Sequence, residues 1–190
     1  MSVFLLVLIA LIALAAVYGV LLYNALVQLK HNVGKAWSNI DVVLKQRHDE
    51  LPKLVETCKQ YKQFEESTLE KVIAARSRVH DARQKQDIPA LGQAESMLRA
   101  GLGTIFAVAE AYPDLKANET FQHLLARISG LESQIADRRE FYNESVNVYN
   151  VRREQFPDNL LVSLFSFPPK SLLRFTTEEK ADVDVKALFA

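Results

Sequence analysis

Four histidines and a single cysteine are the side chains best suited to metal or nucleophilic chemistry, and their spacing supports neither. His31, His48, His80 and His123 form no His-Glu-x-x-His pattern. None follows a glutamate at three residues, the spacing by which carboxylate-bridged metal bundles hold their ions. Cys58 falls on an apolar helical row without an activating base, which suits a buried packing thiol rather than a nucleophile. No Gly-x-Ser-x-Gly element or phosphate loop occurs, and Gly101-Leu102-Gly103 suits close helix packing. No catalytic, metal-binding or cofactor-binding residue is therefore assigned, and no cofactor is expected.

The elements that carry these residues begin with an uncharged run from Ser2 to Leu22. An apolar helix of about 20 residues crosses a bilayer core of ~30 Å, so residues 1–23 read as a transmembrane helix. A cleaved secretory signal would need basic residues before Ala13-Leu14-Ala15, and none is present. A lipoprotein signal would need a cysteine just after the run, whereas Cys58 lies far beyond it. Basic residues follow the run, at Lys30, Lys35, Lys45 and Arg47, and none precedes it. The positive-inside tendency then places the N-terminus outside and the remaining domain in the cytoplasm.

Lys and Arg together number 23, as do Asp and Glu, for a formal net charge of zero. That balance argues against nucleic acid as a partner. One cysteine excludes an intrachain disulfide framework. Few prolines and glycines interrupt residues 24–155, which predicts long helices. Val33, Trp37, Ile40, Leu44, Arg47, Leu51, Leu54, Cys58 and Tyr61 keep an unbroken 4-3 spacing. Pro52 lies inside this series, so either one kinked helix runs through it or the chain turns at Asp49–Leu51; the unbroken phase favours the former.

A capping box at Ser67-Thr68-Leu69-Glu70 predicts a second helix, with Leu69, Val72, Arg76 and Val79 on one face. Pro89 suits the first turn of a third, which carries Leu91, Leu98, Leu102, Ile105 and Tyr112 inward and ends before Pro113. A fourth starts near Asn118 on a seam of Phe121, Leu124, Ile128, Leu131, Ile135, Arg138, Tyr142, Ser145, Tyr149, Arg152 and Phe156. The expected fold is all-α: the transmembrane helix continues into an elongated antiparallel four-helix bundle over residues 24–156, with helices at about 24–62, 67–86, 89–112 and 118–155. Residues 157–190 add a membrane-proximal apolar segment and an extended tail.

Arg138, Ser145 and Arg152 occupy seam positions beside Tyr142 and Tyr149. Either the bundle opens there and these residues are solvated or snorkelling, or the face meets another subunit through arginine and tyrosine anchors. Leu160 to Phe167 is too short to span a bilayer. It suits the membrane interface, a neighbouring subunit, or a cap on the bundle's own end. Tyr23, Asn24, Arg138, Tyr142, Tyr149, Arg152, Phe156, Leu160, Leu161, Leu164, Phe165 and Phe167 together form the candidate interaction surface.

Tyr23-Asn24-Ala25-Leu26-Val27, Ala36-Trp37, Ile40-Asp41-Val42, Arg47-His48-Asp49 with Leu51-Pro52, and Glu110-Ala111-Tyr112-Pro113-Asp114-Leu115 resemble the LemA family. So do Phe141-Tyr142-Asn143, Tyr149-Asn150 and Phe156-Pro157 with Asn159-Leu160, and the match covers nearly the whole chain in order. The resemblance implies a bacterial single-pass protein of the plasma (inner) membrane with a helical bundle, kin to proteins associated with magnetosome membranes. It implies no enzymatic activity and supplies no catalytic residues. The expected partners are the lipid bilayer and further copies of the chain, which would make it a self-associating scaffold. The alternative is a monomeric or dimeric adaptor that presents its bundle to a membrane protein such as a protease.

Overall fold

A computed structural model describes residues 3–61 and 65–174. Its regular elements are all helical: α1 (Val3–Lys59), α2 (Glu66–Gln84), α3 (Ile88–Ala109), α4 (Pro113–Lys116), α5 (Glu119–Glu154) and α6 (Asp158–Phe165). The chain divides into two compact units. Among the described residues, one holds 3–40 and 138–172, and the other holds 41–61 and 65–137 with 173–174.

α1 is a single helix of 57 residues with Pro52 inside it, so the chain does not turn at Asp49–Leu51. A proline within a helix lacks the N–H that the carbonyl four residues earlier would accept. That carbonyl belongs to His48, and it accepts the Nε–H of Arg76 from α2 at 3.1 Å. The second helix thus supplies the donor that the first one lacks. The heptad phase runs through the proline because a partner from outside restores the missing hydrogen bond.

In the unit of residues 41–137, Leu44, Leu51, Leu54 and Cys58 of α1 are buried. So are Leu69, Val72 and Val79 of α2, Leu91, Leu98, Leu102 and Ile105 of α3, and Phe121, Leu124, Ile128 and Leu131 of α5. α2 and α3 form a hairpin in which Gly101 lets the backbones close: a Cβ there would meet the Val72 side chain at 2.9 Å. Asp87 caps α3 by accepting the Ala90 N–H at 3.0 Å, with Pro89 in the first turn. Asn118 caps α5 through the Phe121 N–H in the same way.

Two helix ends differ from the sequence expectation. α2 begins at Glu66 behind Glu65, with no side-chain cap, so Ser67 lies inside the helix and no capping box forms. α3 ends at Ala109 instead of continuing to Tyr112. Tyr112 leaves the helical conformation ahead of Pro113, as the residue before a proline is biased to do, and the short α4 follows.

In the other unit, Leu22, Leu26, Val33, Ala36 and Ile40 of α1 are buried, as are Tyr142, Val146 and Tyr149 of α5. Trp37 meets Tyr142 edge to face at 5.9 Å. The inward row of α5 continues past Ile135 as Tyr142, Val146 and Tyr149. The expected seam shared Tyr142 and Tyr149 with this row but had Arg138, Ser145, Arg152 and Phe156 on it and lacked Val146. Arg138 is exposed, Ser145 bonds the Phe141 carbonyl within its own helix at 2.9 Å, and Phe156 lies beyond the end of α5. Residues 166–174 carry no helix, and the tail from 175 on lies outside the described residues.

The exchange of donors at Pro52 is testable by a double-mutant cycle. Arg76→Met leaves the His48 carbonyl without a partner and should cost about 1–3 kcal/mol in denaturant unfolding. In the Pro52→Ala background, which restores a helical N–H to that carbonyl, the same substitution should cost clearly less. Equal costs in both backgrounds would show that Arg76 does not stand in for the missing donor.

Candidate functional site

The most concentrated polar chemistry lies in the unit of residues 41–137. Arg47 continues the apolar row of α1 and is 1% exposed. Its guanidinium reaches Glu95 Oε1 on α3 at 2.5 Å and Glu132 Oε1 on α5 at 2.6 Å. Arg99 stands 3.9 Å from the other Glu132 oxygen. Burial by itself opposes the charge on Arg47, and the carboxylates of Glu95 and Glu132 outweigh it, so the guanidinium is held charged. Burial also holds the Glu95 carboxyl above the usual carboxylate range, a shift that Arg47 offsets only in part.

Beside this triad, His48 and His80 stack at 4.9 Å between ring centroids. Arg76 lies 2.7 Å from His48 Nε2, and because a guanidinium can only donate, that nitrogen accepts. Burial first, and then Arg76 and His80, lower the His48 pKa and keep the ring neutral. The space bounded by Leu44, Arg47, His48, Leu51, Arg76, Val79 and Leu98 leaves no room for a water molecule. Arg47 and Glu95 are closed off from solvent, Glu132 keeps a partly open edge, and the cluster ties α1 to α3 and α5. Cys58 is fully buried, and burial pushes its thiol up to about 11, the opposite of what a nucleophile requires. Among the described residues, no three His, Cys, Asp or Glu side chains converge as a metal site would.

The candidate surface residues of the other unit fall into two sets. Tyr142 and Tyr149 are turned inward. Their hydroxyls donate to the carbonyls of Ser171 at 3.0 Å and Pro168 at 2.9 Å. Asn150 pairs with both backbone groups of Lys170, donating to its carbonyl at 2.8 Å and accepting its N–H at 3.0 Å. Arg153 donates to the Phe167 carbonyl at 2.8 Å. An irregular segment thus obtains its hydrogen bonds from the side chains of one helix. The two tyrosines are therefore covered by the chain's own C-terminal segment and are not free to serve as surface anchors.

Arg152 pairs with the buried carboxylate of Asp158 at 2.8 Å, while Arg138 and Asn24 face outward on their helices. Tyr23 meets the rings of Phe165 and Phe167 at 4.9 and 5.8 Å. Phe167 is buried and Leu161 is half-buried, whereas Phe156, Leu160, Leu164 and Phe165 are exposed. The structure therefore brings Tyr23, Phe165 and Phe167 together and leaves an outward apolar face beside them. Glu95 was missed by sequence reading. Its position on the inward row of α3, between Leu91 and Leu98, was the available signal, to be read with Arg47 on the matching row of α1.

Removing the cation from the triad leaves a buried carboxylate uncompensated. Arg47→Met should cost about 3–5 kcal/mol of stability at neutral pH. The deficit should shrink as pH falls, because protonating a carboxyl whose folded pKa lies above its unfolded value favours the folded state. Adding Glu95→Leu should recover much of the loss. Denaturant unfolding across pH measures both effects, and a pH-independent deficit would show that Glu95 is not the charge left behind.

The profile of the LemA family matches residues 36–187. Protein LemA of Metamycoplasma hominis is 26% identical over 165 residues, covering 87% of this chain and 74% of that protein. Magnetosome protein MamQ 2 of Paramagnetospirillum magneticum is 35% identical over 66 residues, which is 35% of this chain and 24% of that protein. MamQ of Magnetospirillum gryphiswaldense is 32% identical over a stretch of the same length. The chain thus matches about a quarter of the length of these magnetosome relatives. With a family match across most of its length and a LemA relative aligned along nearly all of it, the chain belongs to the LemA family.

Proposed function

We propose that this chain is a non-enzymatic scaffold, anchored in the bacterial inner membrane by its N-terminal run, that self-associates in the plane of that membrane. α1, α2, α3 and α5 then form an antiparallel bundle, and the magnetosome names of some relatives fit a part in organising membranes. The observation that carries this reading is an outward apolar row on α5: Phe141, Val148 and Val151 are exposed on a helix of the unit that also contains the apolar run. Helical spacing places them on one face. Side chains of this kind contribute on the order of 1.5–3 kcal/mol each when fully covered. Anchoring confines the copies to two dimensions and raises their effective concentration.

Sizing of the full chain by native mass measurement in mild detergent tests the assembly. The expected result is an oligomer that Phe141→Glu with Val148→Glu converts to single chains without loss of helicity. A full-length protein that is already monomeric would overturn self-association and favour the adaptor reading. The basic residues that follow the run support a cytoplasmic domain. In a Cys58→Ala background, Gln84→Cys should resist a membrane-impermeant thiol reagent in intact cells, and ready labelling would reverse the orientation.

A further inference from the structure

We infer that α6 is a second membrane contact, an amphipathic helix whose bare apolar face lies in the boundary between headgroups and acyl chains beside the N-terminal span. The inference rests on the reading of residues 3–22 as a transmembrane helix. In α1, the residues from Val3 to Leu21 are almost all open, and cover from the chain itself begins at Leu22. A run of that length matches a core of ~30 Å, so Tyr23 marks the headgroup level, where tyrosines collect.

α6 is held at the same level. Its last residue, Phe165, and Phe167 just beyond it both pack against the Tyr23 ring, at 4.9 and 5.8 Å. At the other end of the helix, Asp158 is buried and bound to Arg152 of α5 at 2.8 Å. Ser166 closes the helix in the left-handed conformation, with φ 52°.

Leu160 and Leu164 stand one turn apart and are 61% and 73% exposed. Phe156, four residues before Leu160, is 78% exposed and precedes the same row. Asn159 and Ser163 lie on the adjoining side of the helix and are also exposed. The division into an apolar and a polar sector is the pattern of a helix lying in the membrane interface, with its apolar side sunk about 5–10 Å. The contact with Tyr23 decides the occupant of the bare leucines: the headgroup boundary is already at their level.

The test uses the full chain with Trp37→Phe, reconstituted in phosphatidylcholine vesicles whose acyl chains carry bromine either near the headgroup or deep in the core. A tryptophan replaces one residue at a time. Leu164→Trp, with Leu160→Trp as a second variant, should be quenched about two-fold or more by the shallow bromines, with blue-shifted emission. Gln84→Trp should stay unquenched, and Leu14→Trp should be quenched by the deep bromines. If Leu14→Trp is quenched while both α6 variants behave like Gln84→Trp, α6 does not touch lipid and the inference falls, although the span stands. Blue-shifted but unquenched α6 variants would mean that protein covers the leucines, which also overturns it. An unquenched Leu14→Trp would remove the span, and the inference with it.

Discussion

A buried guanidinium needs carboxylates beside it, and that requirement governs the unit of residues 41–137. Removing an ion from water costs several kcal/mol even after relaxation. Arg47 can stay charged there only because α3 and α5 each bring a carboxylate within hydrogen-bonding distance. A one-residue slip of either helix would carry Glu95 or Glu132 off the guanidinium and leave charge uncompensated. Leucine rows tolerate small slips because one methyl replaces another at little cost, whereas the triad does not. A buried ion cluster is weak evidence for net stability compared with apolar packing, and register is the property it is best placed to enforce.

The neighbouring histidines extend the same logic to α2. Pro52 opens a gap in the hydrogen bonding of α1, and Arg76 closes it from outside while also holding His48. An interruption that would ordinarily end a helix becomes the point at which two helices are joined. The result is a polar cluster through which α1 is tied to α2, α3 and α5.

In the unit that carries the N-terminal run, hydrogen-bond accounting explains the two tyrosines. The stretch after α6 has no regular structure and contains Pro168 and Pro169, which lack N–H groups. Four of its carbonyls, those of Phe167, Pro168, Lys170 and Ser171, are satisfied by Arg153, Tyr149, Asn150 and Tyr142 on one side of α5. Tyrosine at an inward position supplies both the apolar bulk that a helix row needs and a donor at the far edge of the ring. With the tyrosines so employed, the outward apolar surface passes to α6 and to the Phe141 row of α5.

Sequence alone determined the helical class, the apolar run and the continuity of α1, because length without charge and an unbroken 4-3 phase are local properties of the chain. It also determined the family, and it disclosed no catalytic constellation. Helix ends were less legible: Ser67-x-x-Glu70 satisfies the capping pattern, but the helix begins one residue ahead of Ser67. Periodicity likewise set Arg138 and Phe156 on the α5 seam, although the buried row passes through Val146. Only the tertiary structure decided which polar side chains turn inward, since that depends on partners distant in sequence. Arg47 lies 48 and 85 residues from its two carboxylates, and no single-helix pattern shows that they meet. The roles of Tyr142 and Tyr149 were hidden for the same reason: a phenol on a helix row reads equally as surface or core until the segment that accepts its proton is in place.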